Sequence, residues 1–210
     1  MRSITEHASY VVGVIGADIG PSFSPSLHER EAAELGLRYV YERRDIHELG
    51  LAPEGVGEHL RAAQRLRCSG VNVTHPCKQT VVEHLTELSS DGAALGAVNT
   101  VVFDHGNAVG HNTDWPGSQQ SVVRGLPDVE MNRVALLGAG GAGAAVAHAA
   151  LSLGVERRPG CRTLDGGGMA VFQAALSFAL FTGHKPDHER MLRHFARLAE
   201  DAPAAAMRSG

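Results

Sequence analysis

Strand-length apolar runs alternate with helical ones from Tyr10 onward, and this alternation restricts the chain to an α/β fold on a mostly parallel sheet. Tyr10 to Ile15 is an apolar run that stops at Gly16 and the loop Ala17–Phe23. Ser24 is placed to cap a helix with Pro25 in its first turn, and Gly36 to end it. Arg38 to Glu42 alternates as a second strand. Val56, Leu60, Ala63 and Leu66 recur at helical spacing, and Gly70 closes that helix. Residues 71–74 form the next strand. Gln79–Leu88 reads as a helix with Val82 and Leu85 inward. Ala97–Phe103 and Ala108–His111 flank Asp104-His105-Gly106-Asn107, a hairpin signal that gives the sheet a mixed edge.

Three stretches carry chemistry. In Gly70-Val71-Asn72-Val73-Thr74-His75-Pro76-Cys77-Lys78 a buried strand ends in an amide, a hydroxyl and an ammonium. Ligands of open α/β sheets bind at that carboxyl end. A lysine there is either a proton-transfer group or an ordinary solvated lysine. The second stretch, Gly110-His111-Asn112-Thr113-Asp114, directly precedes a helix running to Arg124. Asp114 is an N-cap, a rigidly held catalytic carboxylate, or both. Lys78 and Asp114 on neighbouring loops would act together as general acid and base on a substrate hydroxyl. The third is Val134-Ala135-Leu136-Leu137 running into Gly138-Ala139-Gly140-Gly141-Ala142-Gly143 and a helix over Ala144–Leu153. In strand–turn–helix context these glycines let the backbone approach a pyrophosphate at a helix N-terminus. The alternative is a glycine-rich turn with no ligand.

Composition excludes several classes. The chain has 210 residues, room for one large or two small domains, and is 43% hydrophobic with only 5% aromatic residues. A net charge of −4 without a basic run argues against nucleic acid and anionic membranes as partners. No apolar run approaches a membrane span and no leader pattern opens the chain. Three cysteines without metal-type spacing fit a reducing compartment, so a cytoplasmic protein is expected. The twelve histidines include no ligand pattern, His184 and His188 bracket a proline, and no metal is expected.

Taken together, five separated motifs resemble the shikimate dehydrogenases and their quinate/shikimate relatives. They are Ser22-Phe23-Ser24-Pro25-Ser26-Leu27-His28, Asn72–Lys78, Gly96-Ala97-Val98-Asn99-Thr100 with Asn112-Thr113-Asp114, the glycine loop, and Leu164-Asp165-Gly166-Gly167-Gly168-Met169-Ala170-Val171-Phe172-Gln173-Ala174. The resemblance covers about residues 10–155 and 160–195. It implies reversible reduction of 3-dehydroshikimate to shikimate with NADP, in the pathway to aromatic amino acids. The alternative is the NAD-linked activity that also takes quinate. Ser24 favours shikimate, since quinate-using members tend to have threonine there. The resemblance assigns Ser22 and Ser24 to the substrate carboxylate, and Asn72, Thr74, Asn99 and Gln173 to the ring hydroxyls. Lys78 and Asp114 become the catalytic pair, and Gly138, Ala139, Gly140, Gly141, Ala142 and Gly143 hold the nucleotide. Ser24 keeps the alternative of a helix cap and Gln173 that of a helix-surface residue. A monomer or homodimer is expected.

The chain then departs from the family. A second nucleotide-domain strand should carry a ribose-reading group roughly 20 residues beyond the glycines. Val155-Glu156-Arg157-Arg158-Pro159-Gly160 is too polar for that strand and breaks at Pro159-Gly160. Asp165 sits at a suitable distance, but Leu164–Ala174 matches the late substrate-side segment instead. Arg157 and Arg158 are either ligands of a 2′-phosphate or solvated arginines. The expected organisation is a mostly parallel α/β substrate domain over 1–113, a truncated Rossmann-like segment over 114–160, returning helices over 161–200 and a tail over 201–210. The C-terminal helix should pack through Met169, Phe172 and Leu176. Two function classes stay open, the family enzyme and a substrate-binding relic without redox turnover.

Overall fold

In the computed structural model residues 9–127, 146 and 166–201 are described. Six strands form one sheet: β1 Ser9–Gly16, β2 Arg38–Asp45, β3 Gly70–Val73, β4 Glu87–Leu88, β5 Thr100–Asp104 and β6 Asn107–His111. Their order is β2-β1-β3-β5-β6-β4. β2, β1 and β3 run parallel, β5 joins β3 antiparallel, β5 and β6 form the hairpin, and β4 lies parallel to β6. The described helices are α1 Ser24–Glu34, α2 Val56–Arg65, α3 Cys77–Thr80, α4 Ser90–Leu95, α5 Asp114–Gly125, α6 Gly167–Thr182 and α7 His188–Asp201. The expected mostly parallel α/β architecture is present. The segment 128–145 and the tail beyond Asp201 lie outside the described residues. Among the described residues no helix is long and apolar enough to cross a membrane.

Strand periodicity divides the core between the two faces of the sheet. Ile15, Val71, Val73 and Val101 pack under Val56, Leu60 and Ala63 of α2. Val12, Val14 and Tyr41 turn to the other face and meet Phe181 of α6. Asn72, between Val71 and Val73, turns to that same face as a polar residue at the strand end. There α1, α6 and α7 share a cluster of Leu27, Val171, Ala174, Ala175 and Met191. α6 carries no charged residue and is buried on several sides, as a core helix must be. Its inward face is therefore set by Val171, Ala174, Ala175 and Phe178. Phe172 is buried with them, while Met169 and Leu176, expected inward, are only half-buried.

Local signals explain most boundaries. Gly36, at φ +69°, closes α1: its N–H donates to Ala33 O and that of Leu37 to Ala32 O. His105 and Gly106, both at positive φ, make the β5–β6 turn. Four expectations are corrected. Ser24 does not cap α1 but begins it after Phe23. Asp114 likewise begins α5 without capping it. Gly70 opens β3 rather than closing α2, because a Cβ there would lie 2.3 Å from Val101 O and 2.5 Å from the Phe181 ring. Gln79–Leu88 is not a helix: a 3₁₀ turn over Val81–His84 follows α3, and then β4. Thr86 causes the break. Its N–H and hydroxyl both donate to Ala108 O, so the chain joins β6 instead of continuing a helix.

Two buried polar groups tie α1 to the C-terminal helices. Glu31 accepts from Arg190 through Nε and Nη2 at 2.8 and 2.5 Å, and from Asp187 N–H at 2.7 Å. His28, fully buried, pairs Nδ1 with Tyr39 OH at 2.9 Å and Nε2 with Ser177 Oγ at 3.3 Å. Burial lowers its pKa from 6.5 to about 3. The unfolded chain therefore takes up a proton below its ordinary pKa that the folded chain refuses. Stability should fall as pH drops from 6.5 toward 3, by about 1.4 kcal/mol per unit from this group alone. In urea unfolding at a series of pH values, His28→Gln should flatten that decline. Parallel profiles for variant and parent would contradict this account.

Candidate active site

Lys78 and Asp114 meet at the carboxyl end of the sheet. Lys78 sits on α3, one turn beyond β3, and its carbonyl accepts Val98 N–H at 2.8 Å, which binds it to the segment leading into β5. Asp114 opens α5 where β6 ends. Lys78 Nζ stands 2.6 Å from Asp114 Oδ2, with side chains only 15% and 5% exposed. A carboxylate this deep needs its oxygens satisfied. Asn99 Nδ2 donates to Asp114 Oδ1 at 2.8 Å.

Asn99 is itself fully engaged. Its Nδ2 also reaches Thr113 Oγ1 at 2.9 Å, and its Oδ1 accepts from Thr113 N–H at 2.8 Å and Thr100 Oγ1 at 3.2 Å. The start of α5 is held by Asn112, whose Oδ1 accepts from Asp114 N–H at 3.1 Å and Trp115 N–H at 3.3 Å. Asn112 Nδ2 donates to Ala97 O at 3.0 Å, so the capping role expected of Asp114 falls to Asn112. Asn72 stands opposite Thr100 across the β3–β5 pair. Its Nδ2 donates to Thr100 Oγ1 at 3.1 Å and Asn99 O at 3.2 Å. A continuous polar network thus runs from β3 through β5 to the α5 start and Lys78.

The remaining substrate-side residues lie around it. Thr74 ends the β3 rim against Gly16, where a Cβ would stand 2.3 Å from Thr74 Cγ2. Ser22 Oγ accepts Ser24 N–H at 3.3 Å, and Arg43 Nη2 donates to Ser22 O at 2.9 Å. Asp45 anchors the same loop, accepting N–H from Ile19, His47 and Asp18 at 2.8, 3.0 and 3.2 Å. Burial raises the Asp45 pKa, but these bonds outweigh it and hold the carboxyl below its ordinary range. Gln173 lies where α6 meets α5: a Cβ on Gly117 would come within 2.7 Å of Gln173 N. Its own Nε2 donates to Ala170 O at 3.1 Å.

Lys78, Asp114, Asn72 and Asn99 are therefore brought into one network. Thr74 shares the rim, and Gln173 packs against the helix that Asp114 begins. Gly138–Gly143, Arg157 and Arg158 lie outside the described residues. Beyond the glycines, Val146 is described and is helical. Sequence reasoning missed Tyr41, Thr100 and Thr113. Thr100 and Thr113 stood inside motifs already noticed. Tyr41 was signalled only by its alternation within β2. Among the described residues no cluster of three potential metal-binding side chains exists.

Comparison with known proteins identifies the family. Residues 14–101 match the shikimate dehydrogenase substrate binding domain, and residues 166–194 the shikimate 5'-dehydrogenase C-terminal domain. The NADP(+) shikimate dehydrogenase of Streptomyces avermitilis is 43% identical over 283 residues, covering 92% of this chain and 97% of that protein. An alignment of 283 positions exceeds the 210 residues of this chain, so at least 73 positions of that relative have no residue opposite them. The corresponding Pseudarthrobacter chlorophenolicus enzyme is 47% identical over 94% of this chain, which spans only 65% of its length. Quinate dehydrogenase from Corynebacterium glutamicum, solved with NAD, superposes with a TM-score of 0.82 at 29% identity, over 90% of this chain and 99% of that one. Shikimate 5-dehydrogenase from Thermus thermophilus, solved with NADP(H) and shikimate, gives 0.75 at 26% identity, over 90% and 99%. On identity and coverage of this order, the chain belongs to the shikimate dehydrogenase family.

Proposed function

We propose that the chain interconverts 3-dehydroshikimate and shikimate with NADP as redox partner. The observation that carries this reading is the 2.6 Å approach of Lys78 Nζ to Asp114 Oδ2 inside a closed polar network. In the reductive direction the Lys78 ammonium delivers its proton to the oxygen that becomes the hydroxyl. In oxidation the neutral amine takes that proton back. Asp114 holds Lys78 in place. When bound, NADPH would supply the hydride in reduction and NADP+ would accept it in oxidation. Backbone N–H groups of Gly138, Ala139, Gly140, Gly141, Ala142 and Gly143 would hold the pyrophosphate. Ser22 and Ser24 take the substrate carboxylate, and Asn72, Thr74 and Gln173 its ring hydroxyls. Asn99 serves a hydroxyl only by exchanging one of its existing bonds, so its larger contribution is to orient Asp114.

NADP is favoured over NAD because the relatives at 43% and 47% identity are the NADP(+) enzymes, while NAD(+) quinate/shikimate dehydrogenases match at 32% and 40%. In this reading the chain divides into a substrate domain over 1–113, a shortened nucleotide segment over 114–160 and returning helices over 161–200. The two described thiols, Cys68 and Cys77, are free, which fits a cytoplasmic protein. A second reading is favoured by the at least 73 unmatched positions of the Streptomyces avermitilis enzyme. If these fall in the nucleotide segment, the ribose-reading strand is lost, and the chain binds substrate with little turnover.

Steady-state oxidation of shikimate, followed by NADPH absorbance, separates the two. Under the first reading turnover is measurable and Lys78→Ala lowers kcat by about a hundredfold with unchanged NADP binding. Equal rates for variant and parent would exclude Lys78 from the chemistry. Shikimate binding without turnover would select the second reading. Asn99→Ala should cost about 1–3 kcal/mol in urea unfolding, because it strands the buried Asp114 Oδ1 and Thr113 N–H. An unchanged midpoint would contradict the network.

A further inference from the structure

Tyr41 is buried in the middle of β2, only 6% exposed, and no motif of the site includes it. Strand register places it beside Val12 of β1, while Val14 of β1 stands beside Asn72 of β3. Residues two apart share a face of the sheet, so the Tyr41 side chain crosses β1 diagonally toward Asn72. Its hydroxyl donates to Asn72 Oδ1 at 2.7 Å. The tyrosine is held at both ends. Its main-chain N–H donates to Glu29 Oε1 at 3.0 Å, and its ring meets that of His28 edge-on with centroids 4.9 Å apart. Burial raises the phenol pKa, so the hydroxyl stays a neutral donor.

The valences of Asn72 then decide what it can offer. Both Nδ2 hydrogens are committed, to Thr100 Oγ1 and Asn99 O. Oδ1 has two lone pairs, and Tyr41 occupies one. The other is the free position, so Asn72 meets a ligand hydroxyl as an acceptor.

Resting on the functional reading above, we infer that Tyr41 is a positioning residue of the shikimate site. Its hydroxyl locks the Asn72 carboxamide with one Oδ1 lone pair open to a ring hydroxyl. Tyr41→Phe removes the lock and keeps the ring.

The test is a double-mutant cycle on shikimate affinity, measured by calorimetry on the full chain, Tyr41→Phe, Asn72→Ala and the double variant. Thermal unfolding serves as a check on folding. Tyr41→Phe should remain folded and weaken shikimate binding about tenfold. In the Asn72→Ala background the same change should have less than about a twofold effect, because the group it positions is gone. Unaltered affinity of Tyr41→Phe overturns the inference, and so does an equal loss in both backgrounds. Failure of the parent chain to bind shikimate is a different result: it overturns the functional reading, and this inference with it.

Discussion

A carboxylate at 5% exposure is the constraint on which the rest of this site depends. Burying Asp114 without partners would cost several kcal/mol, a large share of the roughly 5–15 kcal/mol that holds a domain folded. Lys78 neutralises one oxygen and Asn99 satisfies the other. Asn99 must then be held, which requires Thr113 and Thr100. Thr100 in turn meets Asn72 across the β3–β5 ladder. One buried charge therefore fixes the mutual positions of the β3 rim, the start of β5 and the start of α5. Partial satisfaction would be worse than an apolar core, so the network is held as a unit.

The substrate side is assembled from residues distant in sequence, and α6 is what completes it. This helix lacks any charge and cannot stand alone in water. It is buried between α1, α5 and α7, and contributes Phe181 to the sheet face that holds Tyr41. Glycine at 117 lets α5 approach the α6 backbone at Gln173, and glycine at 168 lets α6 approach Ser121 of α5. Close backbone contact and the Glu31–Arg190 pair thus fix α6 and α7 against α1 and α5.

Much of this was legible in the residues, for identifiable reasons. An apolar run marked β1, alternation marked β2, a short buried run marked β3, and glycines marked the α1 end and the β5–β6 turn. The pairing of Lys78 with Asp114 followed from two strand ends placed at one rim, supported by motif resemblance. What stayed hidden depended on non-local partners. Gln79–Leu88 has helical composition, yet bonds from Thr86 to Ala108 O draw the chain to a sheet edge. Ser24 and Asp114 have the chemistry of helix caps, but capping depends on backbone placement, which gave that work at α5 to Asn112. Gly70 looked like a helix terminator because its true reason, contact with Val101 and Phe181, comes from remote residues. The link from Tyr41 to Asn72 needed the register of three strands, which composition does not contain.

The central claim is that Lys78, Asp114 and the polar network around them form a working site that takes both shikimate and NADP. Calorimetric titration of this chain with shikimate and with NADP, beside the Streptomyces avermitilis enzyme, tests it most directly. Both ligands should bind, each with an affinity within about tenfold of the longer enzyme's, a difference of about 1.4 kcal/mol. Loss of shikimate affinity, or NADP affinity weaker by about a thousandfold or more, would contradict the account.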